Sequence, residues 1–106
     1  MKKELRIYES GEGQVKVEAL YENGAVWLTM EQMCRLFDEN EVIVGGYLTS
    51  IYAEGELREA ETVRRAVTNY YRLDVALAVG FRVRSKKGQQ FRLWAMKELM
   101  EKVMNE

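Results

Sequence analysis

The chain has 106 residues, of which 47% are hydrophobic and 31% are charged, and its net charge is −1. This balance is typical of one globular domain with a modest core, and it argues against a disordered chain. There is no histidine and only one cysteine, Cys34. These absences exclude histidine-based acid–base chemistry and an internal disulfide, and they argue against a zinc site.

The motifs of membrane proteins and enzymes are also missing from the sequence. It has no apolar run long enough to span a membrane and no secretory signal, so we expect a cytosolic protein. It has no glycine pattern typical of a phosphate-binding loop, and no pair of acidic or nucleophilic side chains stands at a recognisable catalytic spacing. We therefore expect a non-enzymatic protein that requires no metal or cofactor.

Charge is distributed unevenly along the chain. Residues 1–60 carry six basic and twelve acidic side chains, whereas residues 61–92 carry eight basic and two acidic ones. A basic block of this kind can neutralise nucleic-acid phosphates. It can also be a solvated surface that acidic neighbours balance in the fold. The charge pattern leaves both interpretations open.

The first quarter of the chain predicts a small antiparallel meander over residues 5–28. Apolar and polar residues alternate in two runs, the second of them from Val15 to Tyr21. Glu22-Asn23-Gly24 follows as a strong hairpin signal, because asparagine and glycine tolerate the positive φ angles of a tight turn. Ala25 to Leu28 then predicts a third short strand.

A pair of short helices is predicted next, over residues 30–37 and about 41–53. Thr29 is a good N-cap for the first helix, and Gln32 completes a capping-box pattern three residues later. Gly55 follows the second helix, where a left-handed residue commonly ends a helix. Two helices joined by a tight polar turn match the helix-turn-helix arrangement, although two ordinary packed helices would give the same spacing.

Residues 56–72 give no clear pattern, but two further helices are predicted after them. The first runs from Leu73 to Val79 and is closed by Gly80. After a basic loop from Arg82 to Gly88, the longest helix runs from Gly88 to about Asn105. Its predicted apolar face consists of Phe91, Trp94, Ala95, Leu99 and Val103.

These elements predict an α+β fold, as a single domain over residues 1–106. The meander, the helix-turn-helix-like pair and the two C-terminal helices would surround one core. Asp74 is expected to have a structural role, through a helix N-terminus or an ion pair with Arg72 or Arg82. The residues predicted to share the core are Trp27, Leu36, Phe37, Leu73, Leu77, Phe91 and Trp94.

Several segments resemble the RhuM family, bacterial proteins that are named for virulence loci and usually described as DNA-binding. The early similarity lies in Val26-Trp27-Leu28-Thr29, Gln32-Met33 and Leu36-Phe37, and in the run from Ile51 to Leu57. The C-terminal motif is also similar to that of phage antirepressor Bro-type domains. Many RhuM members are longer, so we expect either a short relative or an excised N-terminal domain. The most specific similarity lies in Tyr71-Arg72-Leu73-Asp74-Val75, Val79-Gly80-Phe81-Arg82-Val83, Ser85-Lys86-Lys87-Gly88 and Gln90-Phe91-Arg92-Leu93-Trp94-Ala95.

The sequence departs from the RhuM pattern in two places. Family members carry polar side chains on the second helix, which suits groove contacts, whereas Asp38, Glu39 and Glu41 stand at its start here. Many relatives insert a polar, hairpin-forming segment before the Tyr-x-Leu-Asp motif, and only residues 58–70 bridge that gap here. The resemblance therefore supports the fold, but a DNA-binding wing is expected to be missing.

The first functional hypothesis is that the protein binds double-stranded DNA. The basic stretch over residues 82–92 would contact phosphates, and the second helix would add weak groove contacts. The candidate nucleic-acid-binding residues are Arg82, Arg84, Lys86, Lys87, Arg92, Tyr47, Thr49 and Ser50.

The alternative hypothesis is a protein-interaction or dimerisation module that has lost DNA binding. In this interpretation the second helix forms the partner surface, because its glycines allow close helix approach. A homodimer is compatible with both hypotheses, since helix-turn-helix proteins often bind paired half-sites. The candidate partner-surface residues are Val42, Val44, Tyr47 and Leu48.

Overall fold

The computed structural model describes residues 2–10 and 13–105, with side chains described from residue 17 onward. It confirms the predicted α+β class. The elements in chain order are β1 (Lys2–Ser10), β2 (Gly13–Glu22), β3 (Ala25–Leu28), α1 (Met30–Phe37), α2 (Glu41–Ala53), α3 (Glu59–Thr62), β4 (Val63–Arg64), β5 (Tyr70–Arg72), α4 (Leu73–Gly80) and α5 (Lys86–Met104).

The strands form one antiparallel sheet in the order β1-β2-β3-β5-β4. The predicted meander makes up its first three strands. Asn23 and Gly24 have φ angles of 55° and 73°, as the hairpin signal requires. Helices α1, α4 and α5 lie beside β2, β3 and β1 respectively. The fold therefore consists of a helical layer on a sheet.

The two predicted helices, α1 and α2, are confirmed, and hydrogen bonds cap the N-terminus of each. The Thr29 hydroxyl accepts a hydrogen bond from the Gln32 backbone N–H at 3.1 Å, and the Gln32 side-chain oxygen accepts from the Thr29 N–H at 2.9 Å. The Asn40 side chain caps α2 by accepting from the Ile43 N–H at 2.9 Å. Gly55 has the predicted left-handed conformation, with a φ of 74°.

The segment before the Tyr-x-Leu-Asp motif forms a short hairpin. One turn of helix α3 leads into β4, and β4 pairs with β5 through Val63–Tyr71 and Arg64–Tyr70. Strand β5 in turn pairs with β3, so this hairpin extends the sheet. Residues 58–70, which bridge this gap, therefore contain one short turn of helix and a hairpin whose ladder is two residue pairs long.

Six of the seven predicted core residues lie in or against one apolar cluster. Leu36, Phe37 and Phe91 are fully buried there, and Leu73, Leu77 and Trp94 pack against its edge.

Trp27 is 8% exposed but lies outside this cluster. Side chains alternate along a strand, so Val26 and Leu28 face the helical layer while Trp27 faces the other side of the sheet. There the Arg64 guanidinium lies 5.7 Å from the centre of the Trp27 ring, and the Trp27 indole donates to the Glu22 carbonyl at 3.2 Å.

Helix α5 begins two residues earlier than predicted and buries less of its length. The Ser85 hydroxyl accepts from the Gly88 N–H at 3.1 Å, so Lys86 and Lys87 lie in the first helical turn and not in a loop. Phe91 is buried, and Trp94 and Ala95 pack against the core. Every residue from Met96 to Asn105 is exposed, including the predicted face residues Leu99 and Val103. The C-terminal half of α5 therefore extends beyond the core.

Among the described residues, no helix combines the length and apolar character needed to cross a membrane.

Asp74 forms the predicted ion pair, and its partner is Arg72. The guanidinium donates to both carboxylate oxygens, with Nε–Oδ1 at 3.0 Å and Nη2–Oδ2 at 2.8 Å. Arg72 also donates to the Glu61 carbonyl at 3.2 Å, which ties α3 to the start of α4. The hydrogen bonds from Arg72 hold the pKa of Asp74 below its usual range, despite the opposing effect of partial burial.

Asp74→Asn is expected to lower the free energy of unfolding by about 0.5–1 kcal/mol at neutral pH. Both side chains are more than one-third exposed, so solvent screens the pair. A depressed carboxyl pKa stabilises the fold above the unfolded-state value of about 3.9, and this contribution is lost as the pH falls through the folded-state pKa. In chemical denaturation, the wild-type protein and Asp74→Asn should therefore differ in their free energy of unfolding at pH 7, and this difference should disappear as the pH falls below about 4. Equal stability of the two proteins at pH 7 would contradict this role.

Candidate nucleic-acid interface

The solvent face of α2 carries small and neutral side chains. Its exposed residues recur at helical spacing opposite the buried Val44, Leu48 and Ile51. The helix therefore offers a flat surface without cations. We define the solvent face of α2 as Val42, Gly46, Thr49, Ser50 and Ala53.

The four predicted partner-surface residues on α2 divide between the core and the surface. Val44 and Leu48 are 0% and 5% exposed and belong to the core cluster, so their side chains are not available to a partner. Val42 is 83% exposed, and Tyr47 packs against the edge of the core. The alternating valines of α2 point in different directions because each residue turns the helix by 100°.

The basic segment (residues 82–92) leads from the end of α4 into α5. Its first cation, Arg82, has acidic partners on the loop after α2: its Nη2 donates to Glu54 at 3.2 Å and to Glu56 at shorter range. The Glu56 and Glu54 carboxylates raise the pKa of Arg82. Arg82 therefore fixes this loop to the end of α4, and its charge is already balanced.

Arg92 also has a structural environment. Its Nη1 donates to the carbonyl of Val83 and, at 3.4 Å, to that of Gly80. These carbonyls lie at and just beyond the end of α4, where backbone acceptors lack helical partners. The expected phosphate contacts from Arg82 and Arg92 would thus compete with contacts inside the protein.

Three cations of the basic segment are exposed or half-exposed to solvent. Arg84 and Lys86 are exposed and Lys87 is half-buried. Within the part of the chain whose side chains the structure describes, none of the three has a hydrogen-bonded or ion-paired partner. Two of them lie at the positive end of the α5 dipole, where anions are favoured and lysines are not.

The structure brings α2 and the basic segment together at one polar cleft. Tyr47 and Ser50 line it from α2, and Arg82, Arg84 and Arg92 line it from the basic segment. Glu54 and Phe81 complete the lining. Five of the eight predicted nucleic-acid-binding residues therefore share one surface, although the two on α2 precede the three in the basic segment by at least 32 positions in the sequence.

Thr49 lies on the other side of α2 from this cleft. It lines an apolar groove with Leu48, Tyr52 and Tyr71, and its hydroxyl donates to the Gly45 carbonyl at 3.0 Å. Thr49 and Ser50 are adjacent in sequence, but successive residues on a helix point about 100° apart. The predicted grouping of Thr49 with Ser50 is therefore only partly realised.

An acidic turn lies beside the start of α5. The Ser85 hydroxyl donates to the carbonyl of Phe37, the last residue of α1, so the turn with Asp38 and Glu39 is next to Lys86 in space. These carboxylates oppose anion binding near the N-terminal end of α2. The C-terminal half of α2, with Tyr47 and Ser50, is the more favourable part for contact with an anion.

Sequence reasoning missed three residues that shape this region. Ser85 has the residue type and spacing of an N-cap, but Lys86 and Lys87 were assigned to a basic loop, so the helix was predicted to begin at Gly88. Glu54 and Glu56 were visible only as acidic residues after α2. Their pairing with Arg82 spans at least 26 positions, and no local pattern could reveal it.

Comparison with known protein families identifies the family of this chain. The model of the virulence protein RhuM family matches residues 49–105, which is more than half of the chain. The matched part runs from the C-terminal half of α2 through α5 and includes the whole basic segment. No curated protein and no solved structure shows significant similarity to the chain. The chain belongs to the virulence protein RhuM family.

Proposed function

We propose that the protein binds double-stranded DNA through the C-terminal half of α2 and the three unpaired cations of the basic segment. The observation that carries the proposal is the cleft that Tyr47 and Ser50 share with Arg84. In this arrangement one helix is flanked by positive charge on one side. Helix-turn-helix proteins use this combination, with a helix in the major groove and flanking contacts to phosphates.

Phosphate contacts supply the affinity in this proposal. Arg84, Lys86 and Lys87 provide three positive charges, and the backbone N–H groups in the first turn of α5 that lack helical partners add to them. A phosphate near this turn would meet both the charges and the helix dipole, and their attraction has to exceed the repulsion from Asp38 and Glu39 beside Lys86. Arg82 and Arg92 have a positioning role, because they hold the basic segment against the loop after α2 and the end of α4.

Groove contacts from α2 are expected to be weak. The solvent face of α2 has two hydroxyl side chains, Thr49 and Ser50, and no Arg, Lys, Asn or Gln that could read a base edge with two hydrogen bonds. A small-residue face can still approach the groove floor closely. The proposal therefore predicts that the protein binds DNA with little sequence preference. In this binding, α2 contributes shape complementarity to the groove more than hydrogen bonds to the bases.

Two adjacent glycines offer a matched test of whether α2 contacts DNA. A Cβ atom added at Gly45 or at Gly46 would meet nothing within 4 Å, so both positions tolerate a side chain. Gly46 lies at the centre of the solvent face of α2, whereas Gly45 lines the apolar groove on the other side. Gly46→Glu should weaken binding of a mixed-sequence duplex at least about tenfold, because it brings a carboxylate to the phosphates.

Gly45→Glu is the control, since it makes the same charge change one residue away. Its affinity in a fluorescence-anisotropy titration should stay within about twofold of the wild-type value. Equal losses in the two variants would indicate a general charge effect, and unchanged binding by Gly46→Glu would exclude α2 from the interface.

A further inference from the structure

An exposed apolar surface runs along α5 from Leu93 to Met104. Six large apolar side chains there are between 49% and 82% exposed. We call this surface the α5 stripe; it consists of Leu93, Met96, Leu99, Met100, Val103 and Met104.

The α5 stripe is continuous and faces away from the core. With 100° per residue, its six members fall within about 140° of the helix circumference, opposite Phe91 and Trp94. A helix face in contact with water normally carries polar residues, and a contiguous apolar surface marks an interaction site. Three of the six residues are methionines, whose flexible side chains adapt to a partner surface.

Opposite charges border the α5 stripe on one side. Lys97 and Glu101 are four residues apart and both exposed. Neither has an ion-pair partner among the side chains that the structure describes. Their order along the helix determines which orientation of a second α5 they favour.

We propose that the α5 stripe binds the α5 stripe of a second copy of this chain, in antiparallel orientation. A two-fold axis near Leu99 and Met100 would bring Lys97 of each copy level with Glu101 of the other, because both pairs are centred on the same position. A parallel pair would place the charged edges of the two copies on opposite sides of the interface, where Lys97 and Glu101 could not meet. The charge pattern is thus complementary to itself in one orientation only.

This inference does not depend on DNA binding. It relocates the expected homodimer surface from α2, where Val44 and Leu48 are buried, to α5. If the protein also binds DNA, the dimer would present two copies of α2 and the basic segment to one duplex. If the protein binds no DNA, the prediction that it forms a dimer through the α5 stripe is unchanged.

Sedimentation equilibrium of the full chain tests the interface. The wild-type protein should show a concentration-dependent mass that approaches twice 12.4 kDa. Leu99→Glu should raise the dissociation constant of the dimer at least about tenfold, because it buries two carboxylates on the axis. Leu99 is 64% exposed, so the monomer should fold normally. Val42→Glu is the matched control, since Val42 is exposed on α2, and it should leave the dimer intact.

Cysteine cross-linking tests the orientation, in a Cys34→Ser background. Oxidation should link two copies of a Met100→Cys variant, which lies near the axis. It should not link a Met104→Cys variant, because in the antiparallel pair these positions are about 15 Å apart along the helix axes, beyond disulfide reach. A monomer at every concentration, loss of the dimer in Val42→Glu but not in Leu99→Glu, or equal cross-linking at both positions would overturn the proposal.

Discussion

Replacing Lys86 and Lys87 together by glutamate should abolish binding of mixed-sequence duplex DNA while the protein stays folded. The two lysines supply two of the three positive charges of the basic segment that have no partner among the described side chains, and glutamates there would repel phosphates at the start of α5. The neutral double variant, with both lysines changed to glutamine, should retain weak binding. In a plot of log K against log salt concentration, the slope of this variant should be less steep than that of the wild type by about 1.8, since each lost phosphate contact removes about 0.9.

The same lysine variants should make the fold more stable. Lys86 and Lys87 lie in the first turn of α5, where the helix dipole disfavours cations and favours carboxylates. Charge reversal at both positions should therefore raise the free energy of unfolding by about 0.5–1 kcal/mol in urea denaturation, because repulsion from Asp38 and Glu39 offsets part of the gain from the helix dipole. An increase in stability with a loss of binding would separate the binding surface from the structural core.

A lysine at the other end of α5 provides the charge control. Lys102 is exposed in the last turn, about 24 Å along the helix axis from Lys86. Lys102→Glu changes the net charge by the same amount as Lys86→Glu. If the two single variants lost equal affinity, net charge and not the basic segment would govern binding, and the assigned interface would be incorrect.

Gly80→Ala should be among the most destabilising single-atom changes in the chain. A Cβ at Gly80 would lie 2.5 Å from Cε2 and 2.7 Å from Cδ2 of Phe91, and 2.8 Å from Cζ of Phe37. Both rings are fully buried and pack edge to face, with their centres 5.2 Å apart. Neither ring can move without disturbing the core, so we expect a loss of about 1–3 kcal/mol in the free energy of unfolding.

The same substitution at Gly45 should have the opposite sign. Gly45 is in the interior of α2 and has open space at its Cβ position, so alanine there gains helix propensity without a clash. We expect Gly45→Ala to raise the free energy of unfolding by about 0.5–1 kcal/mol. Thermal and urea denaturation would measure the free energy of unfolding of Gly80→Ala and of Gly45→Ala against the wild type. Destabilisation of equal size at both glycines would contradict the close approach at Gly80.

Local signals in the sequence were sufficient to predict much of the fold. The Thr29–Gln32 capping box, the Asn23-Gly24 turn and Gly55 each act through hydrogen bonds or backbone angles within a few residues. Elements bounded by such signals were predicted with correct ends. Gly80 was predicted to close α4 as a helix end, whereas its main constraint is packing against two distant rings.

The candidate interface was less predictable because its geometry depends on long-range contacts. The basic segment was visible as a run of charge, but its division into engaged and unpaired cations was not. Arg82 pairs with acids 26 and 28 positions away, and Arg92 binds backbone carbonyls. The burial of Val44 was equally hidden, since the weak apolar periodicity of α2 does not show which valine faces the core.

The most direct test of the proposed function is the salt dependence of duplex binding by the wild-type protein. A mixed-sequence duplex should be titrated at several salt concentrations between roughly 50 and 200 mM. With Arg84, Lys86 and Lys87 each contacting one phosphate, log K should fall linearly with log salt with a slope of about −2.7. No binding at the lowest salt concentration, where electrostatic attraction is strongest, would contradict the proposal, and so would binding that does not change with salt.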